Sequence, residues 1–174
     1  MKILVVLLLL FAAVGAAFAA RIVFNNKSDS EKLAVLIDKI EKQQPIKPEE
    51  VALILEVKLK IADLQPNPYY VIRTGKAENG KYKALVDAVE LRTPKDTGKG
   101  GLLIIDLCEK QKTSAQYFKK LYPNVPLRPA SPTAPISVPN TIVVKRNWGT
   151  LNLGISRDES DRIQMLSFDA IKKS

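Results

Sequence analysis

Pro123, Pro126, Pro129, Pro132 and Pro135 recur at every third residue, and Pro139 follows one step out of register. Proline fixes φ and has no backbone N–H to donate, so neither an α-helix nor a central strand can run through this stretch. Any core must be built on either side of it. Polyproline II has three residues per turn, which would put these prolines on one edge of an extended left-handed helix. At about 3.1 Å per residue, Pro123 to Pro139 would then reach roughly 50 Å. The spacing predicts a strap over 123–139 that joins a body to a C-terminal β segment. Its other use is as a docking peptide for an aromatic-lined groove, but most readers of such segments are cytosolic.

The N-terminus points out of the cytosol. Met1-Lys2 gives a basic start, Ile3 to Val14 an apolar core, and Ala17-Phe18-Ala19 a small-x-small cleavage site, the pattern of a secretory signal peptide over 1–19. This run is short for a membrane span of about 20 apolar residues, and no second one follows it. The expected product is secreted or periplasmic, with no transmembrane segment after cleavage and a single α+β domain over 20–174. A domain of that size can bury a core without disulfides. Cys108 is the one cysteine, so it has no internal partner, and its place after Leu102 to Leu107 reads as that of a small buried hydrophobe. In a eukaryotic host Asn26-Lys27-Ser28 would be a glycosylation acceptor.

The body reads as an N-terminal amphipathic helix packed on a mainly antiparallel sheet. Ser28 and Glu31 stand in capping-box spacing, and Leu33, Leu36, Ile37 and Ile40 follow at helical intervals, which predicts a helix from Asp29 to Lys42. Pro48-Glu49-Glu50 resembles a helical first turn. However, Leu55 to Ile61 alternates apolar and polar, and this pattern predicts a strand from about Leu53. Residues 81–92 fit either state. Leu102 to Cys108 suits a central strand, and Thr113 to Tyr122 suits a helix. Thr141 to Arg146, Thr150 to Ile155 and Arg162 to Phe168 read as strands turned at Asn147-Trp148-Gly149 and at Arg157 to Asp161.

Composition narrows the chemistry. The chain has no histidine, which excludes Ser-His-Asp and Cys-His catalysis and His-containing zinc sites. No P-loop or nucleophile elbow is present. No catalytic, cofactor or metal residue is therefore assigned. Asp158-Glu159-Ser160-Asp161 reads as a polar hairpin tip, without the glycine and spacing of an EF-hand loop. A carboxylate-based hydrolase is an alternative, drawing on Glu78, Asp87, Glu90, Asp106 and Glu109. A carrier of a small apolar ligand is another, on the strength of many aliphatic and few aromatic residues.

Charge carries the leading expectation. The formal net charge is +9, and Lys110, Lys112, Lys119, Lys120, Arg128, Lys145, Arg146 and Arg157 fall in a stretch with no acid. Such a block attracts anionic partners in a salt-dependent way. Together with Tyr117, Phe118, Tyr122 and Trp148 it can combine charge with stacking. The expected function is non-enzymatic binding of a protein, or of an anionic polymer or surface, outside the cytoplasm. Lys119, Lys120, Arg128, Lys145, Arg146 and Trp148 would make the contacts. No named nucleic-acid module is present, and export makes nucleic acid a poor candidate.

Overall fold

The computed structural model describes residue 24 and residues 26–62, 67–158 and 160–170; the signal peptide assigned to 1–19 lies outside them. Three helices and one eight-stranded antiparallel sheet are present among the described residues. None of these helices is long and apolar enough to cross a membrane.

Helix α1 (Asp29–Glu41) starts where its capping box places it. The Ser28 hydroxyl accepts the Glu31 N–H at 3.3 Å, and the Glu31 carboxylate accepts the Ser28 N–H at 2.8 Å. Leu33, Leu36, Ile37 and Ile40 are buried along one side. Helix α2 (Pro48–Leu55) corrects the strand expected from Leu53. Proline at its start and the Glu50 carboxylate on the Lys47 N–H initiate it, and Val51 and Leu55, one helical turn apart, are both fully buried. Glu56 in the left-handed conformation (φ 56°) ends it. The alternating pattern survives only as strand β1 (Lys60–Ile61), because the burial of Val51 and Leu55 on one helical side prevails over alternation that begins at Leu55.

The remaining strands are β2 (Tyr70–Lys76), β3 (Val86–Pro94) and β4 (Leu102–Leu107), then β5 (Leu127–Arg128), β6 (Asn140–Arg146), β7 (Gly149–Ile155) and β8 (Ile163–Asp169), with α3 (Ala115–Leu121) between β4 and β5. Residues 81–85 form turns and β3 follows, which resolves the ambiguity over 81–92. The spatial order is β1-β2-β3-β4-β8-β7-β6-β5. The last strand in sequence thus inserts at the centre of the sheet, pairing Leu103 with Phe168 on one side and Leu151 with Phe168 on the other.

Strand alternation sorts the sheet into two faces. Leu91, Leu103, Ile105, Leu166, Phe168, Leu151, Leu153, Ile142 and Val144 are buried in one cluster with the apolar sides of α1, α2 and α3. The opposite rows, which include Ile72, Leu102, Ile104, Met165, Asn152 and Val143, are half-exposed. Cys108 is half-buried at the end of β4, its Sγ 3.6 Å from the Lys83 carbonyl oxygen. Burial and the nearby Asp87 push its thiol pKa up.

The proline-rich segment is a hairpin loop, not an extended strap. Leu127 and Arg128 pair with Ile142 and Thr141, so residues 129–139 leave and return at neighbouring strands. Two turns fold the loop, with the Ala134 N–H on the Ser131 carbonyl and the Val138 N–H on the Pro135 carbonyl, each at 2.9 Å. Arg157 donates to the Ala134 and Pro135 carbonyls at 3.0 and 3.1 Å. These contacts supply what an isolated polyproline helix lacks, since that helix makes no internal hydrogen bonds.

Candidate functional site

The central insertion of β8 decides which loops meet. The β3–β4 turn (residues 95–101), the start of β2, the β6–β7 turn (Asn147–Trp148) and the residue after β8, Ala170, all lie at the same end of the sheet. β4 and β6 are three strand steps apart there, about 14 Å at 4.8 Å per step. Two glycines allow tight closure at this rim. A Cβ on Gly101 would stand 2.0 Å from the Arg92 carbonyl oxygen, and one on Gly149 would stand 2.0 Å from that of Asp169.

A cleft of about 810 Å³ opens at the β2–β4 part of the rim. Pro45, Pro68, Pro94, Tyr69, Tyr70 and Ala170 give it apolar walls, Gly100 and Gly101 line it with buried backbone, and Lys95 and Lys99 bring positive charge. The Tyr69 side of the cleft is tied down by the Lys95 N–H on the Tyr69 carbonyl (3.0 Å) and by Asn67, whose Oδ1 accepts the Tyr69 and Tyr70 N–H groups at 2.9 Å each. The Pro45 side is held by the Gly100 N–H on the Ile46 carbonyl at 3.0 Å. The single acid of the lining, Asp96, accepts the Thr97 N–H at 2.8 Å.

At the β6 part of the same rim stand Lys145 and Trp148. Lys145 is exposed on the half-open face, with no ion-pair partner among the described residues. Trp148 is half-buried, its ring centroid 6.2 Å from that of Phe168, so it both braces the core and reaches the surface. Arg146 points the other way, as alternation along a strand requires. Its Nε lies 2.7 Å from Glu41 at the end of α1, and its guanidinium lies 5.6 Å from the centroid of the Tyr122 ring. The hydrogen bond to Glu41 raises the Arg146 pKa, while burial raises that of Tyr122.

The other expected contacts lie elsewhere. Lys119 pairs with Asp161 at 3.4 Å. Lys120 is exposed on α3, and Arg128 is exposed on β5 at the far end of β6, beside the proline loop. The six residues therefore do not form one patch: Lys145 and Trp148 share the rim, and the rest are distributed over α3, β5 and the buried side of β6. The sequence reading did not single out Tyr69, Tyr70, Lys95 and Lys99. Their signal was present as adjacent tyrosines after Pro66-Asn67-Pro68, and as one lysine just before and one within the glycine-rich break at 97–101.

Neither of the two cavities brings two carboxylates together. Partial burial, then Asp87 and Glu90, raise the Asp106 pKa. Glu78 and Glu109 are exposed. A second cavity, of about 410 Å³ at the start of α3, contains Asp161 as its one carboxylate, beside Lys112 and Arg162. Among the described residues no group of three or more acids or cysteines could hold a metal ion. Asp158, in the hairpin tip, is engaged by Ser160 and has its pKa lowered by that contact. No family model, no curated protein and no solved structure matches the chain.

Proposed function

We propose that the chain is an exported, non-enzymatic binding protein that engages an anionic macromolecular partner outside the cytoplasm through the rim of its sheet. On this reading α1 lies across the buried face and braces the sheet from behind, leaving the rim and the opposite face free. The observation that carries the proposal is the convergence at one sheet end of Lys145 and Trp148 with Lys95, Lys99, Tyr69 and Tyr70. Lysines with no ion-pair partner among the described residues, beside aromatic rings that reach the surface, attract anions at long range and hold them by contact. Neither cavity is lined by two carboxylates, and the larger one is bordered mostly by exposed residues. That geometry favours surface engagement over hydrolysis or an enclosed apolar ligand.

Trp148 is the only tryptophan in the chain, so its emission reports on the rim directly. Titration of residues 20–174 with heparin should shift that emission. Lys145→Gln should weaken the binding and flatten its salt dependence, and Lys120→Gln should leave both unchanged. Heparin binding that leaves Trp148 emission and the Lys145→Gln variant unaffected would refute the rim, and no binding at all would refute the anionic partner.

A further inference from the structure

We infer that the cleft between Tyr69 and Gly100 is a subsite for one ring of an acidic polysaccharide. The inference rests on the rim reading above and names the chemistry of the partner. The volume of about 810 Å³ lies within the range of ligand-binding clefts, about 300–1,000 Å³. Its apolar lining is made mostly of ring side chains. Tyr69 is 74% exposed, Tyr70 stands beside it, and Pro45, Pro68 and Pro94 complete the apolar lining. Exposed aromatic and proline rings offer broad apolar faces, which suit the C–H faces of a sugar better than an aliphatic chain that would seek enclosure.

The polar groups fit the same ligand. Lys95 and Lys99 are exposed at the cleft and have no ion-pair partner among the described residues. Lysine is a compact charge on a flexible stem, with no fixed bidentate geometry, so it can meet a carboxylate or sulfate at several positions around a sugar ring. The one acid present, Asp96, is engaged by the backbone N–H of Thr97. At Gly100 a Cβ would stand 3.4 Å from Pro45 Cβ and 3.9 Å from Ala170 Cβ, so the bare glycine keeps the bottom of the cleft open between them. Most of the lining is exposed, at Pro45, Pro68, Tyr69 and residues 95–97 and 99. A polymer can therefore pass through and continue along the rim toward Lys145 and Trp148, at strands that lie beyond the β4 edge of the cleft, with β6 about 14 Å from β4.

The test uses residues 20–174, with a heparin-derived hexasaccharide as the acidic probe and a neutral glucan hexasaccharide of equal length as the control. The acidic probe should bind and the neutral one should not. Tyr69→Ala removes an exposed ring, so folding is spared; it should weaken binding roughly fivefold, the scale of one aromatic contact, with an unchanged salt slope. Lys95→Gln/Lys99→Gln should weaken binding and lower the slope of log K against log salt by about 1–2, as expected for two lost charge contacts. If Lys145→Gln weakens hexasaccharide binding while the Tyr69 and Lys95/Lys99 variants do not, the cleft assignment fails and the rim reading stands. If the cleft variants weaken it and Lys145→Gln does not, the cleft assignment stands and the Lys145 side of the rim fails. Equal binding of the neutral probe, or preference for a proline-rich peptide over both sugars, would overturn the saccharide assignment.

Discussion

Lys145 and Arg146 are adjacent in sequence and should be opposite in effect. Arg146 points to the buried side of the sheet and pairs with Glu41, whose side chain is 20% exposed. Replacing Arg146 with glutamine leaves that carboxylate without its partner at the C-terminal end of α1, where the helix dipole already disfavours negative charge. A hydrogen bond between charged groups is worth about 1.5–3 kcal/mol, and solvent access to the pair reduces this to about 1–2 kcal/mol. Loss of the guanidinium over the Tyr122 ring adds about 0.5 kcal/mol. The total is about 2 kcal/mol, or a fall in Tm of roughly 5 °C for a chain of this length. Lys145→Gln, on an exposed residue with no ion-pair partner among the described residues, should stay within about 0.5 kcal/mol. Urea unfolding followed by far-ultraviolet circular dichroism measures both, with an unchanged m-value as the check on two-state behaviour. A double-mutant cycle with Glu41→Gln should return about 1 kcal/mol of coupling. The heparin affinity of the folded variants should show the reverse order, reduced for Lys145→Gln and unchanged for Arg146→Gln. A coupling near zero, or an Arg146→Gln variant of wild-type stability that binds heparin poorly, would refute the division of these cations into one that holds the fold and one that meets the ligand.

Two pH-dependent effects follow from the carboxylates. The Ser28 hydroxyl and N–H hold the Glu31 pKa below 4.5, its ordinary value. The charged cap therefore adds stability that is full above that value and is lost as pH falls through the lower, folded one. Glu31→Gln should be less stable than wild type at neutral pH and converge with it in acid, as read from urea midpoints. Asp106 has the opposite sign: partial burial, Asp87 and Glu90 push its pKa above 3.8. The folded state thus holds this proton more tightly, and stability falls as pH rises from the unfolded to the folded value. Asp106→Asn should be more stable than wild type at neutral pH, with the advantage disappearing below the ordinary carboxylate range in the same assay.

Local chemistry was legible in the sequence, and long-range pairing was not. Ser28, Glu31 and the spacing of Leu33, Leu36, Ile37 and Ile40 specify α1 with no help from the rest of the chain. Alternation and the turn at Asn147–Trp148 likewise specify β6 and β7. At Pro48–Leu55 two periods overlap, and the helix prevails because Val51 and Leu55 reach the core together. The threefold proline spacing predicted reach, yet three tertiary features bend the segment back: the short pairing of β5 with β6, two turns, and the Arg157 contacts with loop carbonyls. The rim is the least legible feature. It depends on β8 lying between β4 and β7, a pairing of strands separated by more than fifty residues on the β4 side. No turn or period in the sequence encodes that neighbour.

The same insertion changes what a net charge of +9 means for binding. Read along the sequence, the acid-free stretch from Lys110 to Arg157 looks like a single basic surface. In the fold its cations divide by what they touch. Arg146 is spent on Glu41, Lys119 on Asp161, and Arg157 on the proline-loop carbonyls. A ligand can recruit these only by breaking contacts that hold helix to strand, helix to turn or loop to loop, so their charge adds to the long-range field but little to contact affinity. Lys145 has no such partner among the described residues, and its nearest allies along the rim, Lys95 and Lys99, come from outside the acid-free stretch. The affinity of the rim for polyanions should therefore follow the few uncommitted lysines beside aromatic rings, and the total charge of the chain should matter mainly for how fast a polyanion arrives.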